Sequence, residues 1–310
     1  MLTVIPALAL IAVIGASLYR VLPNFDPDAT RRQCGALVLN VMLPALNIEV
    51  IYTAPIGHHL WQIPVAMTCG VAVCVSAALL VFSAFPIDKR LKNSLILGSA
   101  FGNVTYLGMP LLRGLFPQSV IDVTTVAILC EITVTSLDLT TGTILAAASD
   151  QGSEHVSVRA VVTQILKFPL LWSVAIAAAI RVLGIPLPSF VLSALHLLGD
   201  ATSGIMLLVL GMAIKPAALI GALRRIGTWW PMLLIKLGLS PLVVAFAGVA
   251  IGLSGLNHRA TILEAAMPPQ LFVFIVADRF GFDTEVLATA VAFLTVISFL
   301  TLPALHYFLG

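Results

Sequence analysis

Charge is what this sequence has least of. Only 10% of its 310 residues are Asp, Glu, Lys or Arg, while 60% are hydrophobic. Soluble globular domains carry about 25% charged and about 45–50% apolar residues. The shortage excludes a water-solvated surface over most of the chain and places it in the membrane class. There is no basic run, and the net charge is +2, so nucleic acid is not an expected partner. Cysteine is scarce too. Cys34, Cys69, Cys74 and Cys130 all lie in hydrophobic runs without metal-type spacing, and read as small apolar packing residues rather than disulfide or redox groups. The six histidines are scattered, and none pairs with a carboxylate at metal-ligand spacing. No serine elbow, phosphate loop or zinc-protease helix is present. No metal or cofactor is therefore expected. No Lys or Arg precedes the first apolar run at Leu2, so no cleavable signal is expected either.

What the chain does have is long apolar runs. A spanning helix needs about 20 mainly apolar residues. Ten such runs occur, at roughly 3–20, 32–54, 60–84, 93–115, 119–147, 160–182, 189–213, 229–253, 258–278 and 285–308. The links are short, leaving no room for a soluble domain. The most polar is Ser149 to Arg159 (SDQGSEHVSVR), the natural join between halves. Lys and Arg set the orientation. Eleven of them (Arg20, Arg31, Arg32, Lys89, Arg90, Lys92, Arg159, Lys215, Arg224, Arg225 and Arg279) lie in odd-numbered links. Only Arg113, Arg181 and Arg259 lie in even ones, and Lys167 and Lys236 fall inside spans. Odd links are thus expected in the cytoplasm and both termini outside. Trp61, Trp229 and Trp230 sit at span ends, as interfacial anchors do.

The fold expected is an all-α membrane protein of ten transmembrane helices. It divides into a first five-helix repeat (1–148), a central cytoplasmic link (149–159) and a second repeat (160–310). With an odd number of spans per half, the second half enters the membrane upside down, the inverted-repeat plan common in secondary transporters. One stretch tests this idea. Gly98 to Leu112 reads GSAFGNVTYLGMPLL, and interrupts the fourth span with Gly102, Asn103, Thr105, Gly108 and Pro110. Its counterpart, the ninth span, is interrupted in turn by Pro268 and Pro269.

These breaks carry a chemistry. Proline donates no N–H and frees the carbonyl four residues earlier. Pro110 frees that of Tyr106; Pro268 and Pro269 free those of Glu264 and Ala265. Past each break, a half-helix presents free N–H groups with positive dipole character. Two such ends crossing near the midplane would hold an anion without any basic side chain. The competing reading is a pair of ordinary proline kinks, which membrane helices tolerate. In the second span, Asn40 and Asn47 are seven apart and share a face with Pro44, either lining a solute path or bonding between helices. Glu131, Asp138, Asp200 and Glu264 are ionisable residues inside spans, where charge is costly and usually functional. A carboxylate held away from water can load and release a proton. Alternatively, neighbouring hydroxyls or Lys236 or Lys167 satisfy it.

The residues also resemble a known family. FGNVTYLGMPLL (Phe101–Leu112), LKFPLLWSVAIAAAIRVLGIPLP (Leu166–Pro188), LLGDATSGIMLLVLGMAI (Leu197–Ile214) and AAMPPQLFVFIVADRFGFD (Ala265–Asp283) are similar to the fourth, sixth, seventh and ninth spans of the auxin efflux carrier family. That family holds plant auxin exporters and bacterial malonate and malate permeases. The resemblance implies a scaffold of spans one, two, six and seven, a transport unit holding the crossed spans, an organic carboxylate at the crossing, and a homodimer. It implies a bacterial inner-membrane protein, whose termini the Lys and Arg asymmetry above puts on the periplasmic side. Asn103 and Pro110 match the first crossing helix, Pro268 and Pro269 the second, and Asp200 an acidic residue often found there. Gly204 stands where the family commonly has proline. Phe272 stands where it has a polar residue, for which Gln270 is a substitute.

The reading is a secondary transporter of small organic anions, driven by protons or by the membrane potential. Its expected substrate-binding residues are Asn103, Thr105, Tyr106, Pro110, Pro268, Pro269, Gln270 and Asn40. Its expected coupling residues are Asp200, Glu131, Asp138 and Glu264. The alternatives are a channel or sensor on the same fold, or a membrane-embedded enzyme, for which Glu264 and His258 are the nearest approach to a catalytic pair.

Overall fold

The computed structural model describes residues 4–22, 25–53, 60–148, 166, 169–213, 220–221 and 223–309. The central link at 149–159 lies outside the described residues. Among those described, the chain is helical, and each of the ten apolar runs falls on a helix or an interrupted pair. Six helices are long and apolar enough to cross a membrane: Ala29–Thr53, Gln62–Ser83, Val120–Ala147, Ser189–Ala213, Ile226–Ala250 and Thr284–Leu309. Pro6–Leu18 and Leu171–Val182 are shorter apolar helices. The fourth and ninth runs are each split in two.

The chain forms two compact units. The first comprises Met1–His58, Thr105–Ile128 and Gln164–Ile214. It contains α1 (Val4–Val21), α2 (Pro27–Leu37), α3 (Leu43–Thr53), α6 (Met109–Leu115), the start of α7 (Val120–Ala147), α8 (Pro169–Val182) and α9 (Ser189–Ala213). Asp26 caps α2, accepting from the Ala29 N–H at 3.0 Å, and Pro27 takes a first-turn position where its missing N–H costs nothing. α1 and α9 pack backbone to backbone. A Cβ at Gly15 would collide with the main chain of Leu208, and one at Gly211 with that of Ala12. Small residues permit this approach where no hydrophobic driving force separates helix from lipid. α3 is tied to α8 by Asn47, whose Nδ2 donates to Ser173 Oγ at 3.0 Å. Arg181 Nη1 donates to the Ile51 carbonyl at 2.9 Å, satisfying an orphan group at the end of α3.

The second unit comprises His59–Val104, Leu129–Thr163 and Lys215–Gly310. It contains α4 (Gln62–Ser83), α5 (Lys89–Ala100), the rest of α7, α10 (Ile226–Leu233), α11 (Ser240–Ala250), α12 (Gly255–Ala265), α13 (Phe272–Arg279) and α14 (Thr284–Leu309). Asp88 caps α5, accepting from Leu91 N–H at 2.9 Å. Asp283 caps α14, accepting from the N–H groups of Glu285 and Val286. α4 packs closely on α11, with Gly70 facing Val244.

Interior prolines explain three departures from regular helix. A widened, π-type turn precedes each of Pro44 (Val38–Met42), Pro110 (Val104–Gly108) and Pro241 (Leu234–Leu239). Proline has no N–H to donate in the usual hydrogen-bond register. The residue before it reaches one position further back: Leu43 N–H to Val38 O, and Ser240 N–H to Ile235 O. Single π turns of this kind are characteristic of functional helices.

The first unit holds the helices of the first, second, sixth and seventh runs, the set the family resemblance assigns to a scaffold. It also holds Thr105–Ile128, which the resemblance assigns elsewhere. The reason lies in the break itself. With no continuous helix through residues 101–103, the two halves of the fourth run pack with different neighbours.

Candidate functional site

In the second unit the two helix breaks meet. α5 ends at Ala100, and Phe101–Asn103 are extended. α12 ends at Ala265, and the chain runs through Pro268 and Pro269 before α13. The two interruptions pair as a short antiparallel bridge between Gly102 and Pro269. Asn103 N–H donates to the Pro268 carbonyl at 2.7 Å, and Gln270 N–H to the Phe101 carbonyl at 3.0 Å. Each break thus satisfies polar groups that the other exposes, as buried backbone requires. This corrects one expectation. The N–H groups of Asn103 and Gln270 are spent on holding the crossing together rather than left free for a solute.

The side chains around the bridge are polar and buried. Asn103 is 1% exposed and Gln270 4%. Gln270 Nε2 donates to Asp138 Oδ2 at 2.8 Å, while Asp138 Oδ1 has no partner among the described residues. One turn and three residues earlier on α7, Glu131 accepts from Thr135 Oγ1 at 2.7 Å. Glu264, in the last turn of α12, is fully buried, and neither carboxylate oxygen has a hydrogen-bond partner among the described residues. A carboxylate at a helix C-terminus also faces the unfavourable end of the dipole. Glu131 and Lys236 are the charges within electrostatic reach of it.

Lys236 is expected from the sequence only as an alternative partner for a buried carboxylate, not as part of the crossing. It lies in the π turn before Pro241, is 1% exposed, and brings a basic group to a site expected to have none. Its Nζ donates to the Ala265 carbonyl at 2.7 Å and to Ser240 Oγ at 3.2 Å; Ser240 Oγ itself donates to Ala265 O at 2.9 Å. The Ala265 carbonyl is the one Pro269 leaves unbonded. The proline break therefore creates an acceptor, and Lys236 and Ser240 take it. The Lys236 side chain also fills the space beside Gly102: a Cβ there would lie 3.1 Å from Nζ. The available signal was Lys236 itself, a lone lysine in the middle of an apolar run.

The remaining expected site residues belong to the first unit. Asn40 is exposed, and its Nδ2 donates back to the Ala36 carbonyl of its own helix at 2.7 Å. Thr105 and Pro110 are buried and Tyr106 is half-buried; the Tyr106 hydroxyl lies near Gly35. Asp200 is part of a charged chain. Its Oδ1 accepts from Arg113 Nη2 at 2.8 Å, and its Oδ2 lies 3.3 Å from His196 Nε2. His196 Nδ1 lies 2.6 Å from Glu49 Oε1. Arg113 Nη1 also donates to the Gly199 carbonyl. Neither Arg113 nor His196 was singled out from sequence: Arg113–Asp200 and His196–Glu49 join residues far apart in the chain, although His196 and Asp200 are only four apart on α9.

Interrupted apolar helices joined at a buried polar bridge are a pattern found among membrane transporters. Comparison with known proteins agrees. A family model described as "Membrane transport protein" matches residues 2–306, and the chain belongs to that family, which includes the auxin efflux carriers. An uncharacterized transporter of Methanocaldococcus jannaschii is 24% identical over 247 residues, 78% of this chain and 76% of the relative. A second, from Methanothermobacter thermautotrophicus, is 22% identical over 278 residues, 86% of this chain and 85% of the relative. Auxin efflux carrier component 1 of Arabidopsis thaliana is 29% identical over 127 residues, 40% of this chain but only 20% of the plant protein.

Proposed function

We propose that this protein is a secondary carrier of small organic anions, carboxylates in particular, working by alternating access. In this reading its ten spans form two inverted five-helix repeats, 1–148 and 160–310, joined by the link at 149–159. The observation that carries the proposal is the antiparallel pairing of Gly102 with Pro269. Lipid-exposed helices gain nothing from interruption, and irregular backbone at membrane depth is tolerated where it serves a solute path. Asn103 and Gln270, fixed by that bridge, supply amide donors for a carboxylate, and the Lys236 ammonium supplies positive potential beside it. The plant relatives' name, auxin efflux carrier, points to the same substrate class, an organic acid.

Charge supports proton coupling. Three buried carboxylates, Glu131, Asp138 and Glu264, surround the bridge with one buried ammonium. Bringing an anion into that environment is strongly disfavoured unless the carboxylates carry protons. The carrier is therefore read as loading protons together with its anion. Asp200 is the weaker coupling candidate, because Arg113 already neutralises it and its side chain is 54% exposed.

The test is a thermal-shift screen of mono- and dicarboxylates on the purified protein. A ligand that binds only the folded state raises its melting temperature by mass action. A hit should drive counterflow in proteoliposomes. Asn103→Ala should lose the ligand-induced shift while its own melting curve stays cooperative. An undiminished shift in that variant removes Asn103 from the site, and no response to any carboxylate removes the substrate class.

A further inference from the structure

We propose that Lys236 is a tethered cation. Its ammonium fills, from within the chain, a position built to hold a monovalent cation, so that this carrier works without an alkali-metal ion. Two oxygens hold Nζ. The Ala265 carbonyl lies at 2.7 Å and Ser240 Oγ at 3.2 Å. Within electrostatic reach is Glu264, fully buried, with both carboxylate oxygens unpartnered among the described residues. A carbonyl and a hydroxyl, with the carboxylate of the residue preceding that carbonyl close by, are oxygen donors of the kind a hard cation takes. An ammonium takes the same set through hydrogen bonds, up to three of them, and Lys236 makes two.

The local sequence builds this position in two steps. Pro269 removes the N–H that would have bonded Ala265 O, which leaves a bare acceptor at the end of α12. The π turn before Pro241 then places Lys236 and Ser240, four residues apart, on the side facing that acceptor. Gly102 is part of the same construction: the absence of a side chain there leaves room for Cε and Nζ. A free ion would have to be bound anew in each cycle, and its occupancy would follow its concentration. A lysine is always present and keeps one positive charge at the Ala265 carbonyl.

The consequence for transport rests on the carrier reading above; the cation position itself does not. The test therefore measures stability, using sodium, lithium and potassium chloride against choline chloride, with no substrate present. Wild-type protein should melt at the same temperature in all four salts. Lys236→Ala, which empties the position but keeps its oxygens, should melt lower in choline and regain stability as sodium or lithium is added, saturably. Lys236→Met, which fills the volume without charge, should melt at a temperature indifferent to the salt. A sodium-dependent rise in the wild type, or a folded Lys236→Ala protein that responds to none of the three ions, overturns the proposal. Lys236→Ser, which adds a hydroxyl to the emptied position, serves if the alanine variant fails to fold, and the wild-type salt comparison decides in either case. A sodium response in the wild type would leave anion transport standing, whereas a chain indifferent to every carboxylate would leave the tethered cation standing.

Discussion

Glu264 is where single-residue chemistry bears most directly on function. It is a fully buried carboxylate at a helix C-terminus with no hydrogen-bond donor among the described residues. Such a group is a poor contributor to stability and is kept for another reason. Glu264→Gln preserves shape and removes the charge, so the variant should fold with a melting temperature at or above the wild type. In proteoliposomes, proton-coupled uptake by the wild type should fall as external pH rises, because fewer protons are available to accompany the anion. Glu264→Gln should flatten that dependence. A variant with the full wild-type pH profile would move coupling to Glu131 or Asp138. Lys236 belongs to the same scale. Like Glu264 it is costly in an apolar run, but its cost is met at the proline-freed Ala265 carbonyl, whereas that of Glu264 is not.

At the scale of elements, the helices of this chain use glycine in two distinct ways. In α9, Gly211 lies against the main chain of Ala12 on α1, while Gly204, seven residues earlier on the same helix, has nothing within 4 Å of a Cβ position. Alanine at the two sites therefore has opposite expected effects. Gly204→Ala should be neutral or stabilise by up to about 1 kcal/mol through helix propensity. Gly211→Ala should force the helices apart and destabilise by about 1–3 kcal/mol. Melting curves of the two variants in one detergent make the comparison, and equal shifts would refute the close packing of α1 on α9. Proline acts at the same scale. Pro44, Pro110 and Pro241 widen a helix by one residue, whereas adjacent Pro268 and Pro269 end one. The difference is that a single missing N–H can be bridged by a longer reach, and two in succession cannot.

For the whole molecule, the asymmetry of Lys and Arg among the links predicts which side each loop faces. In a cysteine-free background, Gln118→Cys should react with a membrane-impermeant thiol reagent added outside intact cells. Lys89→Cys should react only after permeabilisation. The opposite pattern would invert the topology. The transport class is also decided at this scale. A carrier shows counterflow of its anion and no unitary currents, a channel shows the currents, and an enzyme consumes the solute.

Much of this was legible in the residues. Ten apolar runs, the interruption of two of them by glycine, asparagine and proline, and the freed carbonyl of Ala265 follow from composition and from local backbone chemistry. So does the family, through four motifs in order. What local sequence could not decide is who occupies the freed groups. That Asn103 and Gln270 spend their N–H groups on each other's chain depends on two segments more than 160 residues apart meeting in register. The same holds for Lys236 taking the Ala265 carbonyl, for Arg113 reaching Asp200 and for His196 reaching Glu49. Buried polar groups must find partners, and sequence shows which groups will be short of one. Only the tertiary packing selects the partner, because that choice is made by proximity in space between helices whose order along the chain does not reveal which faces will touch.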